Sequence, residues 1–412
     1  MDDSKQAQMH PTHLTRTVVK HAAAAAVHYS GLRRGFAAAR RVACGGRRVL
    51  ILGYHRVVPD FEREAAESIP GGIISIQTFQ RQLESVARAG YEFAPLGQAV
   101  EVLTRQRTSK KDLCVLTFDD GYRDVYRHAF PFLRSKGIPA TFYLPAGLIG
   151  TQRRLDHDRL YHLFGIAKRA RLQPKIDELP PETATLMLAA MGQGKAVPAA
   201  LDDYIGDVPS DALRFAIELL AARLGEAPEP AWGELMNWEE ARRISAAGYE
   251  LGAHTLEHVV LTLEGPTRID HEIRGSKELI ERETGSPVRH FSYCNGWYSE
   301  QLVHRVARMG FQSAVTTEDF PNRLGENPFT LKRKVLWEDF STGLFGQYSP
   351  ALTSCCVDDV FRMVGLGHPV SGNRKQRFAS EAQWRLLDNR SVSRPSLDKT
   401  GSLPFAVEGE TA

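Results

Sequence analysis

Short apolar runs alternate with segments of helical period through most of this chain. That alternation points to an α/β fold whose parallel strands are covered by helices. Residues 48–55, 91–96, 113–118, 140–144, 249–253, 290–293 and 311–316 read as strands. Between them, Phe79, Leu83, Val86 and Ala87 share one helical face before Gly90, and further helices fall over 97–104, 126–136, within 264–284 and over 300–309. Residues 60–72, charged and then rich in proline and glycine, read as a loop. Parallel neighbours need right-handed crossovers, and in such sheets, open or closed into a barrel, ligands bind at the carboxyl ends of the strands.

Polar residues gather at those ends. His55 closes the first run, Asp119 and Asp120 the third, His254 and His258 follow the fifth, and Cys294-Asn295-Gly296 the sixth. Asp-Asp-Gly alone is a turn signal, and His-x-x-x-His alone places two imidazoles on one helix face. Together they match a hydrolytic metal site. Catalytic zinc takes three N/O ligands and keeps one position open for water. Two imidazoles and one carboxylate meet that need, and the second carboxylate is left as a base. A coordinated carboxylate is held deprotonated, so Asp120 is assigned as ligand and Asp119 as general base, although spacing alone permits the reverse.

These residues carry a resemblance to the NodB-type polysaccharide deacetylases, carbohydrate esterase family four. The family's T-F-D-D-G is present as Thr117–Gly121 and its H-[ST]-x-x-H as His254–His258. The Y-H-R-V strand of one branch is present as Tyr54–Val57, and Phe291–Gly296 is similar to that branch's third motif. The resemblance covers roughly residues 49–345. It implies a distorted (β/α) barrel with fewer than eight strands, one divalent metal ion (usually zinc), and hydrolysis of N-acetyl groups on amino sugars of a polysaccharide, oligosaccharide or glycolipid. Asp119 is then the base, and Asp120, His254 and His258 are the ligands. The turn Tyr293–Gly296 forms a wall of the sugar groove and supplies the oxyanion N–H. The chain departs from the pattern in three places. Cys294 stands where proline is usual, no histidine occurs in 329–335, and Ser292 occupies the place of the arginine that orients the base. His55 is the substitute acid or substrate contact. Arg289 and Arg333 are candidate orienting cations, and Arg333, with Tyr293, Asn295 and Gly296, a candidate substrate contact. The alternatives are a C–N hydrolase acting on a non-sugar amide, which a groove without aromatic walls would favour, and a non-catalytic carbohydrate-binding protein of the same fold.

Charge divides the rest. Residues 1–48 hold nine lysines and arginines against two aspartates, +7, which leaves −4 for the remainder of a chain whose net charge is +3. No nucleic-acid partner is expected. Residues 14–41 read as one basic amphipathic helix suited to an anionic membrane surface. Five cysteines, odd in number and without ligand or disulfide spacing, read as reduced thiols of a cytoplasmic protein, peripheral to the inner membrane face if the arm docks there. Residues 151–231 form an insertion with helical patterning at Leu160, Leu163, Phe164, Leu213, Ile217 and Leu220, a lid or helical subdomain ended by a proline-rich linker. Residues 346–412 form a C-terminal extension, expected to be disordered from about 371 because it is polar and patternless.

Overall fold

The structure is a computed structural model that describes residues 11–169, 208–224, 230 and 232–364. Its strands are β1 (Val49–Tyr54), β2 (Arg56–Val58), β3 (Ile73–Ser75), β4 (Tyr91–Phe93), β5 (Asp112–Phe118), β6 (Thr141–Leu144), β7 (Glu250–Ala253), β8 (His290–Ser292), β9 (Ser313–Val315) and β10 (Lys334–Val335). The large sheet runs β10-β1-β5-β6-β7-β8-β9, and all of its pairings are parallel. One edge of β5 follows β1 along its length, from Val49 against Leu113 to Tyr54 against Phe118. Its other edge is shared by β4 at the start and β6 at the end. The two outer edges meet through Leu331, which accepts from Thr316 N at 2.8 Å and donates to Ala314 O at 3.0 Å. The sheet is therefore curled into a distorted (β/α) barrel.

Alternation along the strands sorts the side chains. Ile51, Val115, Tyr143, Val315 and Leu331 are buried together on one side of the sheet. On the other, Tyr54, Phe118 and Phe142 stack in sequence, with Phe79 edge-on to Tyr54 at 5.0 Å. Phe79 belongs to the helix Ile76–Arg88, where Ser75 caps Thr78 N.

The insertion has its own small core. The helices Asp156–Arg169 and Ser210–Arg223 bury Leu160, Leu163 and Phe164 against Leu213, Ile217 and Leu220. Past it, Tyr122 bridges Leu235, and Met236 N donates to Gly121 O, so the return segment pins the Asp119–Tyr122 turn.

Three expectations are corrected. Residues 61–67 form a helix rather than a loop, because Asp60 caps Arg63 N and acidic residues fill the first turn. The basic arm is two helices, Pro11–Tyr29 and Arg33–Ala43, broken at Gly31 with φ +79°. Much of its charge is paired inward: Arg33 with Asp358, Arg40 with Asp359, and Arg41 with Asp112. The domain also extends beyond residue 345. The helix Pro350–Val357 is buried from Ala351 onward, and Asp358 accepts from Arg48 at 2.6 Å. Expectations for residues from 371 onward lie outside the described residues.

Candidate active site

The site is built where the parallel strands end. Thr117 and Asp119 are two residues apart and so face the same way, into the barrel. There Arg333, wholly buried just before β10, meets Asp119 with two parallel bonds of 2.8 and 2.6 Å. Its other donors reach Thr117 Oγ1, Ser292 Oγ and Thr316 O. Ser292 in turn donates to Asp119 at 3.3 Å. Burial alone would lift the Asp119 carboxyl; the Arg333 charge outweighs it and holds the group below the usual carboxylate range. Arg333 is thus the cation that holds Asp119. It is not a substrate contact, because no part of it reaches the cavity surface.

Asp120 leaves the strand in a left-handed conformation (φ +70°), and Gly121 follows at +66°. A Cβ on Gly121 would stand 2.8 Å from Ile149 Cδ1, which restricts that corner to glycine. The reversal sends Asp120 away from Arg333 and toward the histidines. His254 Nε2 and His258 Nε2 lie 3.3 and 3.1 Å from Asp120 Oδ1. The two histidines do not share a helix face as their spacing predicts. They sit in a turn in which Thr255 (φ +62°) and His258 (+55°) are left-handed. Four of the six non-glycine residues with positive φ among the described residues, Asp120, Thr255, His258 and Asn295, fall at this site, where strain of this kind accumulates around function.

The trio fits a metal. With bonds near 2.0–2.1 Å, tetrahedral ligand atoms stand about 3.3 Å apart, close to the spacings here. Asp120 Oδ1 is buried without a hydrogen-bond partner. His254 Nδ1 donates to Ser292 O at 2.7 Å, which fixes the ring with Nε2, the atom free to ligate once deprotonated, toward Asp120. Cys294 Sγ also lies within 4.8 Å of both histidines' ligand atoms. It approaches His254 from the Nδ1 side, at 3.8 Å, where the nitrogen is already engaged by Ser292 O. Burial works against charge on His258, but Cys294 and Asp120 lift it to about 9, and His254 is raised well above its ordinary value. The same pairings carry Asp120 well below the usual carboxylate range despite its burial.

A cavity of about 240 Å³ opens over this cluster, lined among others by His55, Asp119, Asp120, His254, His258, Tyr293, Asn295 and Gly296. His55 Nδ1 is buried and unpartnered beside it. Of the turn expected to supply the oxyanion N–H, Tyr293 N–H is spent on Val315 O at 3.2 Å, and that of Gly296 on Tyr293 O at 2.8 Å. An oxyanion donor from this turn has to come from Cys294 or Asn295. Gly296 makes the turn possible, since a Cβ there would lie 2.1 Å from Thr317 Oγ1.

Sequence reasoning missed the wall supplied by the insertion. His157, Asp158, Tyr161 and Trp232 all line the cavity. The His157 ring is edge-on to His258 at 5.1 Å, and Tyr122 O–H donates to Asp158 at 2.8 Å while lying 3.2 Å from His157 Nε2. Burial, then the neighbouring His258, brings His157 down to about 3; burial lifts Asp158 to about 7 against the Tyr122 bond. The one hint was the Asp156-His157-Asp158 run at a helix start, which reads as ordinary first-turn acidity.

Residues 106–192 and 202–314 match the sequence model of the family described as polysaccharide deacetylase. The putative polysaccharide deacetylase YxkH of Bacillus subtilis (strain 168) is 19% identical over 270 residues, 66% of this chain and 68% of that protein. Among solved structures, IcaB from Ammonifex degensii is 19% identical, with a TM-score of 0.48 over 76% of this chain and 98% of its own. The Streptococcus pyogenes deacetylase PplD in complex with acetate is 17% identical, with a TM-score of 0.47 over 74% and 95%. With the family match running through both the Asp119-Asp120 turn and the His254–His258 turn, the chain belongs to the polysaccharide deacetylase family.

Proposed function

We propose that the protein hydrolyses the N-acetyl groups of amino sugars in a glycan or glycolipid, with a divalent metal ion, zinc by the ligand chemistry, held by Asp120, His254 and His258. One observation carries this reading. An ionised, arginine-clamped Asp119 lies next to an orphaned Asp120 oxygen that faces two Nε2 atoms at metal-ligand spacing. When bound, a divalent cation polarises the acyl group and makes water easier to deprotonate.

The chain's own residues do the rest. Asp119, kept ionised by Arg333, takes the proton of the attacking water as that water adds to the acyl carbon. The Ser292 carbonyl fixes the His254 tautomer and ring direction. His55, with a buried unpartnered nitrogen at the cavity, is placed to give a proton to the departing amine, so the products are acetate and a free amino sugar. The Tyr161 and Trp232 rings, 6.4 Å apart on the insertion side, offer apolar faces of the kind sugar rings stack on, which favours a sugar over a non-sugar amide.

Acetate release from N-acetylated glycans, with and without chelator, tests the reading. Asp119→Asn is expected to lose about 10²- to 10⁴-fold in rate while keeping its metal, and His254→Ala to lose both metal and activity. A wild-type protein that releases acetate equally well in excess chelator refutes the metal assignment. Full activity in Asp119→Asn refutes the base.

A further inference from the structure

Glu257 stands between the two histidines of the His254–His258 turn and belongs to neither the cavity lining nor the ligand trio. Three guanidinium groups converge on it. Arg153 reaches Oε1 at 3.0 Å, and Arg214 and Arg268 reach Oε2 at 2.7 and 2.6 Å. Arg268 comes from the barrel helix Pro266–Thr284 and also meets Glu272. The other two come from the insertion. Arg153 precedes its first helix, and Arg214, on its second helix, also grips Asp156 at 3.1 Å. Glu272 holds the same turn by its backbone, accepting from Leu256 N and Glu257 N at 2.8 and 3.0 Å.

The turn needs such fastening. Two of its residues are left-handed without being glycine, a conformation that costs about 1–3 kcal/mol each and persists only where the surroundings over-determine it. The first insertion helix, held to Glu257 through Asp156 and Arg214, presents His157, Asp158 and Tyr161 to the cavity. One carboxylate therefore joins the loop that carries both imidazoles to the element that walls the cavity.

We propose that Glu257 is a positioning residue: by gathering Arg153, Arg214 and Arg268 it seats the insertion on the turn bearing His254 and His258, so that metal binding and seating of the insertion stabilise one another. The proposal rests on the metal reading above. Linkage makes the coupling reciprocal. Whatever the insertion gains from an ordered turn, the metal gains from a seated insertion.

The test is zinc competition against a chromogenic chelator, together with hydrogen exchange over residues 156–169 and 210–223 with and without zinc. Glu257→Gln is expected to weaken zinc binding about tenfold, the scale of lost supports around metal ligands. In the wild type zinc slows exchange in both insertion helices, and in Glu257→Gln it no longer does. Arg153→Gln, at a half-exposed arginine where misfolding is no concern, shifts both readouts in the same direction by less. Arg214→Lys recovers part of what Arg214→Gln loses. A Glu257→Gln protein that melts earlier yet binds zinc like the wild type overturns the proposal, as does equal zinc protection of the insertion in both proteins. A wild-type chain that binds no divalent ion overturns the metal reading itself, whereas zinc binding indifferent to Glu257 overturns the coupling alone.

Discussion

An Arg333→Met substitution keeps much of the side chain's length and deletes its charge inside the barrel. Arg333 is wholly buried and the Asp119 side chain is 5% exposed, so solvent cannot replace what is lost. Two bonds to Asp119 disappear, with those to Thr117, Ser292 and Thr316. Breaking a buried pair by removing one partner costs about 3–5 kcal/mol, because it strands the other charge. The same stranding follows from Asp119→Asn, which leaves the guanidinium alone. The two changes together are therefore expected to cost less than the sum of the singles, by about 0.5–3 kcal/mol. The sign of the pH dependence follows from Asp119. In the wild type its folded-state pKa lies below the ordinary 3.8, so the pair's contribution is present above that value and is lost only as pH falls through the lower one. In the variant only the lesser pull of His254 and His55 opposes burial, so the carboxyl takes up a proton more readily than in the wild type. The deficit is then largest at neutral pH and shrinks toward pH 4. Denaturant unfolding of the four proteins, in chelator, at neutral and mildly acid pH measures both effects. A cost for Arg333→Met that is the same with Asp119 and with Asn at that position, or one that does not change with pH, refutes the reasoning.

Three more outcomes are expected. Metal affinity rises with pH, because below about 9 binding must displace a proton from His258, and His254 is raised too; each displaced proton is worth about tenfold per pH unit, and a flat chelator-competition profile between pH 6 and 8 contradicts this. Ile217→Ala in the insertion core costs about 2–5 kcal/mol locally, so limited proteolysis should open the 156–169 and 210–223 pair while the barrel's melting transition holds; a matching loss in the barrel argues against a separate core. Gly296→Ala must push Thr317 aside and take a strained φ of +72°, so it should raise KM more than it lowers kcat, and unchanged values of both count against the turn as a cavity wall.

The sequence showed Asp119, Asp120, His254 and His258 because each follows a strand whose apolar pattern is plain, and strand direction alone brings them to one end. Helical period likewise exposed the insertion. Arg333 was visible only as one basic residue among three in a row, beside a two-residue strand; nothing local says which of them points inward. His157 and Asp158 were invisible for a different reason. They are close to the site because an insertion folds back over it, a long-range fact that local period does not carry. The helix at 61–67 was hidden by its charge, since no apolar face announces it. The segment 350–357 was taken for an extension because its small residues look undemanding, although those residues are what let it lie buried against its neighbours.

The ion pairs at the foot of the barrel set an order for making the protein. Arg48 N–H and guanidinium groups meet Asp112 and Asp358, and Asp358 lies 310 residues further along. β1 likewise has an open edge until residues 334–335 arrive to pair with it. On a ribosome adding about 5–20 residues per second, the outer edge of β1 and the Arg48 contact to Asp358 therefore wait tens of seconds for their partners, whereas β5 and Asp112 arrive much sooner. During that time an unpaired strand edge and a cluster of arginines are uncovered. A nascent chain stopped before residue 334 lacks the strand that completes the pairing of β1.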